Sequence, residues 1–199
     1  IRSWLNGYGV SANEPQVDYS HKNFLNAAFS SEEKNAIKTT NVINDNNISY
    51  GTTGGNTTSD KVFLLSESEV YHTDTAEKYG FTKTDSIYDE ARRSRCSTYA
   101  YSMGIYRYNS TSASSKKYNG NIDWWLRSPG NKRDYAAEVE LSGWVYWYGD
   151  YVYFTSHGVR PALHLNLSST NLYSYAGTVS SADMAEKTYI ESYHTGSYN

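Results

Sequence analysis

The chain has 199 residues, a formal net charge of −3 and 20% charged residues, the size of one domain with a tail and long enough to bury a core. It carries 21 Tyr among abundant Ser, Thr, Asn and Gly, too many rings for a disordered chain and a composition shared with antibody-like recognition loops. The lack of a basic excess argues against a nucleic-acid groove, no stretch has the apolar length of a membrane span, no signal peptide is visible, and the single Cys96 excludes disulfide frameworks and multi-cysteine metal sites.

Residues 1–6 read as a short amphipathic helix closed at Gly7, opening as if in mid-element. Residues 7–20 are loop-like, and residues 23–28 predict a helical turn. Ser30 with Glu33 forms a capping box, followed by Ala36 and Ile37 on an apolar face. Residues 41–60 read as a polar loop with a short strand, and residues 61–65 as a buried strand. Ser66 with Glu69 is a second capping box. Residues 73–96 carry no clear pattern; residues 98–103 predict a helix stopped at Gly104; residues 109–121 read as a mobile loop.

From residue 122 the pattern turns to strands. Residues 124–127 form one, stopped by Ser128-Pro129-Gly130. Residues 136–141, 144–148 and 151–154 follow, with Ser142-Gly143 and Gly149-Asp150 as turn signals. Residues 159–167 make a last strand whose Pro161 points to an edge or a bulge. Helices first, then an antiparallel meander, is an α+β pattern. The expected ligand-binding domain covers residues 1–167, and residues 168–199 are a C-terminal extension with a short helix over 182–190.

Strand alternation places Trp144, Tyr146, Tyr148, Tyr151 and Tyr153 outside and Val145, Trp147, Val152 and Phe154 inside. Five rings on one outward face make an interaction patch, because Tyr and Trp are large, rigid and amphipathic. The competing reading is that the rings only stabilise the hairpin by cross-strand pairing. Asp150, Ser156 and His157, with Asn131, Arg133, Asp134 and Tyr135 of the loop after Gly130, are placed at the rim as hydrogen-bonding groups. Each of these seven is equally readable as an ordinary loop residue. Arg127 and Arg160 sit inside strand motifs and are expected in structural ion pairs, with Asp60 or Glu138 as partners. Trp124 and Trp125 are assigned to the core.

No catalytic residue, metal site or cofactor is expected. The histidines at 21, 72, 157, 164 and 194 show no metal-ligand spacing, and there is no GxSxG elbow or phosphate-binding glycine loop. Asp89 and Glu90 read as a solvated helix start. Calcium stays open: the residue 44–47 loop holds suitable oxygens, whereas Glu14-Pro15-Gln16 has the wrong context for a lectin loop.

IRSWLN, FSSEEKNAI, DKVFLLS, STYA, WWLRSPG and GVRPALHLNL occur in that order. The series resembles a bacterial domain family of uncharacterised function, common in gut Firmicutes, over residues 1–167. That family usually continues upstream, which implies that this chain lacks its first strands; the segment from Gly7 to Lys22 is longer than usual. The closing pair WWLRSPG and GVRPAL resembles the end of the C-type-lectin-like fold, in the variety of formylglycine-generating enzymes and of the variable proteins of diversity-generating retroelements. The resemblance implies a compact lectin-like domain that binds a protein or glycan through its late hairpin, outside a bacterial cell or on a phage particle. Residues 131–157 are then the diversified segment. Nucleic acid and direct membrane insertion are not expected. The alternatives are an enzyme on that fold with a metal or carboxylate site, although those enzymes rely on a cysteine pair and Cys96 stands alone, or a structural surface module.

Overall fold

The computed structural model describes residues 1–13, 16–71, 79–81, 88–166 and 168. The helix expected over 182–190, and the extension apart from Ser168, lie outside the described residues, as do Glu14 and Pro15. Among the described residues no helix is long and apolar enough to cross a membrane.

The α-helices have four to six residues, too short to be stable alone, so caps and burial hold them. Helix α1 (Arg2–Asn6) ends at Gly7, whose φ of 71° takes the left-handed turn that a Cβ would disfavour. Helix α2 (Phe24–Ala28) starts at Asn23, which accepts the Asn26 N–H at 2.8 Å. Helices α3 (Ser31–Ala36) and α4 (Glu67–Val70) begin on the two expected capping boxes, Ser30 with Glu33 and Ser66 with Glu69, both closed in both directions. Helix α5 (Thr98–Ser102) is capped by Ser97 and followed by Gly104 at φ 95°.

Among the described residues the strands pair antiparallel with one another, and Trp124 adds an isolated parallel bridge to Gly158. Strand β1 (Thr40–Val42) pairs with β2 (Thr58–Asp60). Strand β3 (Val62–Phe63) pairs with β9 (Ala162–Leu163), and β4 (Ser94–Arg95) with β5 (Asn121–Ile122). A three-stranded meander joins β6 (Trp124–Pro129), β7 (Tyr135–Val139) and β8 (Val145–Tyr151). The class is α+β. The last strand is much shorter than residues 159–167, because only Ala162 and Leu163 meet β3; Leu165 adds an isolated bridge to Ile37.

Two cores share the strands by alternation. Trp124, Leu126, Phe63, Leu65, Val139 and Val145 face one; Trp125, Val62, Leu64, Leu5, Leu25 and Ile37 face the other. Trp124 and Trp125 are thus core residues on opposite sides of one strand.

The expected arginine pairs are rearranged. Arg127 is held by Glu69, the capping-box carboxylate, and donates to the Leu64 carbonyl at 2.8 Å and the Ile43 carbonyl at 3.0 Å. Asp60 is occupied instead by Arg2 at 2.9 Å, Tyr8 at 2.6 Å and Thr58 at 2.6 Å. Glu138 pairs with His157. The Arg160 guanidinium lies over the rings of Trp124 and Phe81, at 5.0 and 5.3 Å, where an arginine gains cation–π attraction.

The turn at Ser142-Gly143 is as expected: Gly143, at φ 85°, donates to the Glu140 carbonyl at 2.8 Å. Gly149-Asp150 is not a turn. Tyr146 faces Glu138 and Asp150 faces Ala136, so three residues of β8 lie opposite one of β7 and the strand carries a bulge. Gly149 has φ 75°, and a Cβ there would lie 2.2 Å from the Ala136 carbonyl oxygen. The chain leaves the sheet only after Tyr151, where Phe154 donates to the Tyr151 carbonyl at 3.0 Å. Val152, 57% exposed, and Phe154, 41% exposed, therefore do not join the inner row. Val145 is buried, and Trp147 packs partly buried on the core, stacked on Tyr71.

Candidate functional site

Residues of β7 alternate between the two faces of the meander. Ala137 and Val139 enter the first core, which turns Ala136 and Glu138 to the other side. On that side Trp125 of β6 and Tyr146 of β8 stand opposite Glu138, and Asp150 stands opposite Ala136. The segment after β8 returns His157 to this face. Its imidazole stacks on Trp125 at 4.2 Å between centroids and 24° between planes, with the Phe154 ring near-parallel at 6.3 Å.

Glu138 is 4% exposed and His157 9% exposed. His157 Nε2 and Glu138 Oε2 are in direct contact. Apart from that contact, Oε2 has no hydrogen-bond partner among the described residues. His157 Nδ1 faces Ser156 Oγ at 3.4 Å. Asp150 is half-buried, and its Oδ1 accepts the Tyr151 N–H at 2.8 Å. One ligand atom from each of Glu138, Asp150 and His157 falls in a group spanning no more than 4.8 Å.

The surroundings are strongly acidic. Burial opposes the charge on His157, but contact with the Glu138 carboxylate outweighs it, and Asp123 and Asp150 add to the upward shift. Burial also pushes Glu138 upward against the pull of His157. Asp123, whose Oδ1 accepts the Leu141 N–H at 2.7 Å, is raised by burial. Glu140 reaches about 7, first from burial and then from the negative charges of Asp123 and Glu138. Three carboxylates, Glu138, Asp123 and Asp150, thus act on one imidazole, and Glu140 adjoins two of them.

A row of rings borders the cluster. Tyr88, Trp144, Tyr146 and Tyr148 follow one another at centroid separations of 5.9, 5.2 and 5.9 Å. Tyr148 meets Tyr50 and Tyr135 edge-on, and Tyr135 packs on its cross-strand partner Tyr151 at 4.3 Å. Tyr151 then stacks with Tyr153 at 4.8 Å.

Of the residues expected at a ligand face, Trp144, Tyr146, Tyr148 and Tyr151 are half-buried against one another, and Tyr153 stands out at 64% exposed. Tyr135 is buried as the first residue of β7 rather than a loop residue. Asn131 is half-buried, its N–H bound to the Tyr148 carbonyl at 2.8 Å. Arg133, Asp134 and Ser156 are exposed. Asp150 and His157 come together, but near the end of β8 and in a buried stack rather than at a hairpin tip. In the 44–47 loop, Asn47 is buried: its Oδ1 accepts from Ser49 and Tyr50, and its amide donates to the Pro129 and Trp147 carbonyls. That amide is a brace under the ring row and has no oxygen to spare for calcium. Glu138, Glu140, Asp123, Tyr50 and Tyr88 were not singled out as site residues by the sequence. The alternation Glu138-Val139-Glu140 beside Ala137 was the available signal, since it puts two carboxylates opposite a core face.

Fold and site together define an α+β domain whose late meander carries a ring-lined face beside a buried carboxylate–imidazole cluster. The chain belongs to the DUF6273 family, a domain of unknown function, which matches residues 1–167. No curated protein and no solved structure matches the chain.

Proposed function

We propose that this is a non-enzymatic recognition domain of C-type-lectin-like fold, displayed on a bacterial surface or phage particle, that holds a protein or glycan on the ring face of β8 and the segment after it. The observation that carries the reading is the continuation of the ring row into exposed Tyr153, flanked by exposed Val152 and Phe154. Apolar and aromatic groups left in water at one end of a stacked row are what a binding surface offers, because ring faces stack on sugar C–H groups and bury well against protein side chains. Residues 131–157, which include these positions, are the segment we assign to retroelement diversification.

The half-buried rings support one another, so the cleanest test spares them. The variant Val152→Ser/Tyr153→Ser/Phe154→Ser is expected to keep the circular dichroism and melting of the parent and to lose binding at least tenfold. Binding is read against a glycan array and a display library of bacterial surface proteins, whose separate hits tell the two ligand classes apart. Unchanged affinity in a folded triple variant would remove the ring face from the function.

A further inference from the structure

We propose that Glu138, Asp150 and His157 bind one divalent cation of the first transition series, with His157 Nε2, Glu138 Oε2 and an Asp150 carboxylate oxygen as ligands. The site goes beyond the ring-face reading and does not depend on it.

Three features argue for it. First, the donor atoms are already gathered within 4.8 Å of one another. Metal–ligand distances of about 2.0–2.2 Å put two donors on one ion at most about 4.4 Å apart, so the widest separation closes slightly while the touching Nε2–Oε2 pair opens to admit the ion. Secondly, Glu138 is 4% exposed, and its Oε2 has no partner among the described residues other than the His157 imidazole that belongs to the same group. In the tautomer with its proton on Nδ1, towards Ser156 Oγ at 3.4 Å, His157 turns the Nε2 lone pair to that same buried oxygen. In that tautomer the two atoms are both acceptors, and a cation shared by them replaces the proton that otherwise joins the pair. Thirdly, the imidazole is preset: Trp125 stacks on its face at 4.2 Å and Ser156 Oγ lies 3.4 Å from its other nitrogen, the kind of support that metal-bound histidines commonly have.

The donor set selects among ions. One imidazole with two carboxylates suits zinc or manganese, whereas calcium takes six to eight oxygens. Asp123, one oxygen committed to the Leu141 N–H, adds negative charge beside the site, and half-buried Asp150 leaves a way in from solvent.

The test is calorimetric titration of the full chain, first dialysed against chelator, with zinc, manganese and calcium chlorides. Zinc is expected to bind saturably at one ion per chain, at least tenfold tighter than calcium. Asp150→Asn, a substitution at a partly solvated position whose fold is checked by circular dichroism, is expected to weaken zinc at least tenfold. Cobalt substituted for zinc reports the ligands directly, and its visible absorption is expected to weaken and shift in His157→Gln. Absence of saturable zinc binding, which leaves a proton as the positive centre, would overturn the proposal. So would zinc affinity in Asp150→Asn within twofold of the parent, which places the ion elsewhere.

Discussion

At the scale of single residues, Glu69 joins two tasks. Its Oε2 accepts the Ser66 N–H at 2.9 Å, closing the box that starts α4, and the same carboxylate holds Arg127. Burial opposes its ionisation, but the hydrogen bond and charge of Arg127 outweigh that, and the group titrates below its ordinary value. A carboxylate depressed on folding adds stability above its unfolded pKa of about 4.3, and the gain disappears as pH falls through the folded value. Glu69→Gln keeps an acceptor for the cap and removes the charge. It is expected to lower stability by about 2 kcal/mol at pH 7, since it strands a largely buried Arg127. In urea unfolding the gap to the parent should shrink at pH 3; an equal gap at both pH values would deny the ion pair its role. Ser66 and Glu69 were legible as a cap because a box needs only local spacing. Arg127 lies 58 residues from Glu69, and nothing in the local pattern preferred that carboxylate to Asp60.

At the scale of elements, the bulge in β8 governs the site. A glycine at positive φ serves a hairpin turn and a bulge alike, so Gly149-Asp150 read as a turn until the pairing of Tyr146 and Asp150 with β7 was known. The bulge puts Asp150 opposite Ala136 on the face of Glu138, and Tyr151 opposite Tyr135. Gly149→Ala must accept both a left-handed backbone and a Cβ 2.2 Å from a carbonyl oxygen. Its cost is expected at about 2 kcal/mol or more in thermal unfolding, while Gly51→Ala, also at positive φ but with open space around its Cβ, should cost less. Equal losses would mean that the bulge geometry is not what Gly149 supplies. The cluster escaped a search by spacing for a related reason. Glu138, Asp150 and His157 come from β7, β8 and the returning segment, and only the bulged register aligns them.

At the scale of the molecule, the strands form a wall common to both cores. Trp124 and Leu126 face one side while Trp125, between them, faces the other, so neither cluster can lose order without disturbing β6. Leu5, 1% exposed in the second core, is far from the ring row in sequence. Leu5→Ala is expected to cost about 3 kcal/mol and to move the whole chain through one transition, with far- and near-ultraviolet circular dichroism coincident. Two separated transitions would show the cores to be independent. The exit of the chain from the sheet after Tyr151 has a consequence for heredity. Residues 152–156 are all exposed, so their identities carry little of the folding requirement, whereas Val145, a few positions earlier, is buried. Mutation there can explore new chemistry at small cost to foldability. Within one short stretch of chain, positions the core depends on thus stand beside positions it does not.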